Sequence, residues 1–391
     1  MLKLGYFHRD FNTSETFIYD LVKALNEDKN IDFLYFSSQK TVNADFDLKY
    51  VPFYFPNYQK IELLLFYFGQ ILGKKGSYFK TCFQKKIIKY ELNRRSFPQL
   101  DTAYVEYATS AVLLMDFFYE KKIPFTVHVH GFDVTCSLND KYYIQQLYIL
   151  FEKANYIIAN SNHIKRVLIT LGCNPNKIKV IYPITNLPDV DNNIWEKRLQ
   201  AKPMVTFLGR LAPKKHPLAL IHAFQIVSQN FPDANFTIIG DGPLKHEVKN
   251  RIKKLNLEDK VLLTGTLNRN EAFKYLSKSW VYAQHSVTSF SGDQEGFGVS
   301  LAEAAAHSLP IVSTIHNGIP ENVINEQTGY LVPEHDYESM AEKIIYLLKN
   351  PNIAREMGEK GRKHILDLCR TNNRTEKIKE ILLLATKENP K

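Results

Sequence analysis

Cysteine is scarce in this chain of 391 residues: four, Cys82, Cys136, Cys173 and Cys369, lie scattered without paired spacing. That argues against a disulfide framework or a zinc cluster and suits a reducing compartment. Long apolar runs are missing too. The longest, Ile61 to Leu72, contains Glu62 and Gln70 and is too short to span a bilayer. The chain opens on a strand pattern, Leu2 to Phe7, not on a charged-then-apolar leader, so no signal peptide is expected. Repeats and disordered composition are absent. The turn Gly240-Asp241-Gly242-Pro243 lacks the Lys-Ser/Thr of a P-loop and reads as a structural strand-to-helix turn.

What is present suits two domains of ordinary size: 45% of residues are hydrophobic, and strand-like runs alternate with helical ones. The net charge of +9 is unevenly placed. Residues 60–95 carry nine Lys/Arg against two Asp/Glu, together with Leu63 to Phe68, Tyr78, Phe79 and Phe83. Aromatics beside lysines describe a surface able to rest on anionic lipid headgroups. The alternative is a core helix with a solvated basic face. Nucleic acid ranks last as a partner, because no recognition module is present.

The densest chemistry runs from Gln294 to His307. Glu295 precedes Gly296-Phe297-Gly298, and Glu303 sits in an Ala-rich segment that reads as helix. Pro310 closes it, and Ile311-Val312-Ser313 reads as a buried strand. A glycine loop feeding a helix N-terminus suits an anion. Carboxylates beside an anion are tolerable only if they accept from neutral hydroxyls. The ligand that fits is a phosphate carrying polyols, a nucleotide sugar, with Glu303 on ribose and Glu295 on the transferred sugar. An isolated pair of glutamates would be no more than a solvated helix face.

The pair is not isolated. Phe207-Leu208-Gly209-Arg210-Leu211-Ala212-Pro213-Lys214-Lys215, Ile238 to Leu244, Gly318-Ile319-Pro320-Glu321 and Thr328 to Pro333 surround it in order. This set resembles the retaining, nucleotide-sugar-dependent glycosyltransferases of family 4, which have the GT-B fold. Ser14 to Ile18, His285 to Thr288, Gly292-Asp293 and Ser313-Thr314 resemble the branch that builds exopolysaccharides such as colanic acid and amylovoran.

The resemblance implies an α/β protein of two Rossmann-like domains facing an interdomain cleft. Residues 1–183 would bind acceptor, joined by a C-terminal helix within 371–391, and residues 184–370 would bind the nucleotide sugar. His130, Arg210, Lys215 and Glu295 would be catalytic. Gly209, Gly296, Phe297, Gly298, Val299 and Glu303 would complete the donor contacts, with Gly265-Thr266-Leu267 near the base. Ser14, Glu15 and Thr16 would meet the acceptor. Within this reading Lys214 is solvated, His128 is structural, Thr13 or Ser14 caps the helix Thr16 to Asn26, and a last helix runs from Thr371 to Ala385. His216 stands where the family usually has glycine.

No cofactor or metal is expected, since Asp45-Phe46-Asp47 and Asp189-Val190-Asp191 fall outside the cleft motifs. UDP is the favoured nucleotide and GDP the next. The acceptor would be lipid-linked or an oligosaccharide, and the protein cytoplasmic, resting peripherally on the inner face of the cytoplasmic membrane. Rival readings are an epimerase or phosphorylase of the same fold, or a non-catalytic scaffold of polysaccharide assembly.

Overall fold

The computed structural model describes residues 1–9, 15–37, 46–52, 76–94, 97–184, 187–191 and 193–388. They form two compact units, Met1–Thr185 with Asn373–Lys391, and Asn186–Asn372.

In the first unit, β1 (Leu2–Phe7), β2 (Ile31–Ser37), β3 (Tyr50–Pro52), β4 (Thr102–Glu106), β5 (Phe125–Val129), β6 (Tyr156–Ala159) and β7 (Ile178–Val180) make one sheet, ordered β3-β2-β1-β4-β5-β6-β7. Every pairing is parallel. Such strands are buried on both faces and read as apolar runs. Side-chain alternation divides the core. Phe7, Val105, Val127 and Ile157 pack with residues of α2 (Gly76–Arg94), α3 (Ala108–Glu120), α4 (Lys141–Lys153) and α5 (Asn162–Thr170). Tyr6, Phe33, Tyr104 and Ile158 pack on the other side against α1 (Thr16–Asn26) and the C-terminal helix Arg374–Lys387.

That last helix buries Ile378, Ile381, Leu382 and Ala385, a helical stripe. It begins later than the sequence pattern suggests. Thr371 and Asn372 end the preceding helix, and Asn373 breaks the run with φ 32, a left-handed conformation that asparagine tolerates. At the other end of the unit, Glu15 occupies the cap position of α1 and makes no side-chain cap bond. This replaces the expected Thr13 or Ser14, which lie outside the described residues. β4 stops at Glu106, because Tyr107 with φ 69 takes the chain out of the strand.

Of the basic aromatic segment 60–95, residues 60–75 and Arg95 lie outside the described residues. Helix α2 buries Ile88 and Leu92 and exposes Tyr78, Phe79, Phe83 and Tyr90. Lys85 pairs with Asp116 and Lys89 with Glu120, so part of its positive charge is neutralised by α3. Among the described residues no helix is long and apolar enough to cross a membrane.

The second unit holds β8 (Met204–Leu208), β9 (Asn235–Ile239), β10 (Val261–Gly265), β11 (Val281–Ala283), β12 (Ile311–Thr314) and β13 (Gly329–Val332) in the order β10-β9-β8-β11-β12-β13, again all parallel. Its helices are α6 (Ile194–Leu199), α7 (Pro217–Asn230), α8 (Lys245–Lys254), α9 (Arg269–Lys278), α10 (Val299–Ala306), α11 (Ile319–Asn322), α12 (Tyr337–Lys349) and α13 (Pro351–Asn372). In both sheets strand order reverses beside the first strand, between β1 and β4 and between β8 and β11. Open parallel sheets bind ligands beyond the strand ends at such points.

Candidate functional site

The second unit gathers its expected donor residues at the β8/β11 reversal. β8 ends in Gly209 and the exposed Arg210, and the turn Pro213–Lys215 follows. His216 then takes φ 39. The left-handed turn that glycine usually provides is thus made by a histidine. Lys215 is buried and ion-paired with the carboxylate of Glu295. Burial pushes the Glu295 carboxyl up, but Lys215 and Lys214 outweigh it and bring it down to about 2. Lys214, expected in solvent, instead bonds Asp293 at 3.2 Å and the Gln294 carbonyl at 3.3 Å. It staples the loop before Glu295 to the turn that carries Lys215.

Behind this loop stands a relay. Glu334 accepts from His316 Nδ1 at 2.6 Å, so Nε2 is left to accept the Glu295 amide at 3.1 Å. Glu334 also takes the Thr288 amide at 2.8 Å. Gly298 caps α10 with φ 85, which suits glycine, and no side chain caps that end. Gly318 presses its backbone onto Gly296: a Cβ there would lie 2.1 Å from the Gly296 carbonyl. Val299 opens α10, whose first amides lack helical partners. The Phe297 side chain is 1% exposed and lies in the core. What it can offer a ligand is backbone. Glu303 is buried on α10 with Arg269 Nη2 at 3.5 Å.

The first unit has its own polar cluster at the β1/β4 reversal. Glu106 ends β4 and is fully buried. Its Oε2 meets His130 Nε2, and its Oε1 accepts the Tyr6 hydroxyl. His128, deeper on the same face, receives Tyr104 at 2.6 Å and lies 3.6 Å from Glu106. Burial and then His130 hold His128 well below its ordinary value, so it stays neutral. His8, just past β1, meets Tyr35 at 3.1 Å and Glu15 at 3.4 Å. Glu15 also takes the Tyr107 hydroxyl, so this expected acceptor residue is tied to its own unit. Thr16 opens α1 half-buried, and Ser14 lies outside the described residues. Asp133 binds the amides of Ala108, His130 and Gly131, which fixes the turn after β5.

Two family models divide the sequence: "Glycosyltransferase Family 4" matches residues 14–187 and "Glycosyl transferases group 1" matches residues 189–364. The chain belongs to the family 4 glycosyltransferases. Among curated members, the amylovoran biosynthesis glycosyltransferase AmsK of Erwinia amylovora is 33% identical over 198 residues, 51% of this chain and 48% of AmsK. The N-acetylgalactosamine-N,N'-diacetylbacillosaminyl-diphospho-undecaprenol 4-alpha-N-acetylgalactosaminyltransferase of Campylobacter jejuni is 29% identical over 228 residues, 58% of this chain and 59% of that enzyme. The chain thus matches about half the length of these relatives. In structure it resembles HepE of Anabaena, solved with UDP and glucose, at a TM-score of 0.73 and 18% identity over 98% of this chain and 99% of HepE. That likeness concerns the fold, the GT-B pair of parallel-sheet α/β domains.

The second unit pairs Lys215 with Glu295 just before the start of α10, and Arg210 lies exposed at the end of β8. Sequence reasoning missed Glu106, Asp133, Arg269 and the His316–Glu334 relay. The metal question is sharper than expected as well. Glu106, His128 and His130 place ligand atoms within 4.8 Å of one another. Of the two Asp-x-Asp pairs, Asp191 is engaged by Lys197 at 2.5 Å and Asp189 lies 3.5 Å from Arg362; Asp45 lies outside the described residues.

Proposed function

We propose that this chain is a retaining glycosyltransferase that moves a hexose from a nucleotide sugar, UDP-linked by preference and GDP-linked next, to a lipid-linked or oligosaccharide acceptor in bacterial surface polysaccharide assembly. The observation that carries this is the Lys215–Glu295 pair set beside the uncapped start of α10. One site holds a cation for phosphate, a carboxylate for hydroxyls and a helix N-terminus.

In this reading Arg210, Lys215 and the first amides of α10 stabilise negative charge as it builds on the leaving diphosphate. Arginine forks onto oxygens and lysine follows them as a point charge. Gly209 and the Gly296-Phe297-Gly298-Val299 backbone admit the diphosphate closely. Glu303 takes ribose hydroxyls and Glu295 the sugar's. His130 meets the transferred sugar, and Ser14, Glu15 and Thr16 meet the acceptor. Retention rests on the family resemblance. With two cations on the diphosphate, no metal is required for this step.

The UDP bound by HepE supports the choice of nucleotide, and the Campylobacter relative's diphospho-undecaprenol acceptor supports a lipid-linked one. The exposed Tyr78, Phe79, Phe83 and Tyr90 of α2 support a peripheral seat on an anionic membrane surface. Donor hydrolysis and transfer by purified protein across UDP, GDP and ADP sugars test the proposal. Glu295→Ala should abolish turnover, while Glu303→Ala should mainly weaken nucleotide binding. Activity should survive a chelator. Wild-type rates in both variants would remove the site assignment.

A further inference from the structure

We propose that Glu106 is the positioning residue for His130, fixing its imidazole as the Nε2–H tautomer so that Nδ1 is the atom offered to a ligand hydroxyl. This rests on the assignment of His130 to the sugar made above.

The placement follows from the sheet. Parallel register sets Glu106 on β4 opposite His128 on β5, and His130 lies two residues further on the same face. The rings of the two histidines are 4.1 Å apart, and the carboxylate reaches both. Its hydrogen-bonding partners are His130 and Tyr6, and an ionised carboxylate only accepts, so both must donate, while His128 Nδ1 takes the Tyr104 hydroxyl instead. Burial pushes the Glu106 carboxyl up, but His130 beside it and the hydrogen bonds from His130 and Tyr6 pull it well below the ordinary range. It is therefore charged, and His130 Nε2 carries the hydrogen that faces it.

The rest of the residue is already immobilised. Asp133 holds the His130 amide at 3.0 Å, and Asn160 donates to its carbonyl at 3.0 Å. Phe17 and Tyr107 flank the ring at 5.2 and 4.7 Å. What remains free is the choice of ring tautomer, and Glu106 makes that choice. Tyr6 makes the carboxylate itself rigid, because its ring is stacked between Tyr35 and Tyr104 at 5.6 and 5.1 Å. Among the described residues no protein group bonds His130 Nδ1. A neutral ring held this way presents a lone pair, which suits a sugar hydroxyl, as in other carboxylate-oriented histidines.

The test is histidine nitrogen-15 NMR on the full chain, with His130 assigned by its loss in His130→Gln. The neutral ring should be wholly Nε2–H. In Glu106→Gln it should become a tautomer mixture, and kcat should fall about tenfold or more with KM for the donor and nucleotide affinity nearly unchanged. Glu106→Asp should restore much of both. Should Glu106→Gln not fold, the wild-type spectrum alone decides. A wild-type Nδ1–H ring, or unchanged spectrum and kcat in Glu106→Gln, would overturn the proposal. So would one retained equivalent of zinc on the same three residues. Failure of the wild-type chain to bind any nucleotide would instead remove the donor assignment, leaving the tautomer to be judged by its spectrum.

Discussion

Lys215 and Glu295 form an ion pair in which both side chains are about nine-tenths buried, at 10% and 12% exposed. A diphosphate that reaches Lys215 must compete with that carboxylate. Removing the charge while keeping the shape should therefore help the nucleotide and harm the chemistry. Glu295→Gln is expected to bind UDP several-fold more tightly, about 1 kcal/mol, because a like charge leaves the anion site. The same variant should lose turnover with sugar donors. Calorimetric titration with UDP beside a transfer assay checks both. Weaker UDP binding would mean that Glu295 helps to build the phosphate site.

The same pair makes stability depend on acid. The Glu295 carboxyl stands at about 2 in the folded chain against an ordinary 4.5. A depressed carboxyl contributes stability above its unfolded value and loses it as pH falls toward its folded one. The second unit should therefore weaken between about pH 4.5 and pH 2, by roughly 3 kcal/mol at most from this group. Glu295→Gln should flatten that part of the curve in urea titrations run at stepped pH. An equal slope in both proteins would assign the acid sensitivity to other groups.

Arg198 is buried without a carboxylate, and burial lowers its guanidinium to about 9. Its donors go instead to the carbonyls of Leu276, Ser277, His307 and Ser308, at the ends of α9 and α10. Cations at helix C-termini are favourable, and carbonyls stripped of donors are costly. Arg198→Leu should cost roughly 3 kcal/mol or more. Both tryptophans of the chain, Trp195 and Trp280, lie in this unit. Their fluorescence in urea therefore reports its unfolding.

Leu382 on the C-terminal helix is fully buried against the first unit's sheet. Leu382→Ala should destabilise that unit by about 2–5 kcal/mol through transfer loss and cavity. Nucleotide affinity should not change, since the donor residues belong to the other unit. Far-ultraviolet dichroism and UDP titration of one preparation measure both.

The strands Leu2–Phe7 and Ile311–Thr314 were legible because buried parallel strands are unbroken apolar runs. Lys215 and Glu295 were legible from chemical type and order. Lys214 was not, because its partners Asp293 and Gln294 arrive from a distant loop. Asn373 was hidden because helical spacing continues on both sides of it. Glu106 did leave a signal, a carboxylate ending a buried strand. Its meaning depends on register with His128, which no local pattern contains.

Crystals soaked with UDP and a UDP-sugar decide where the donor sits. The diphosphate should lie on Arg210, Lys215 and the Val299 end of α10, with ribose on Glu303 and the sugar on Glu295. A nucleotide seated anywhere else, or those residues untouched by it, would rule out this donor site.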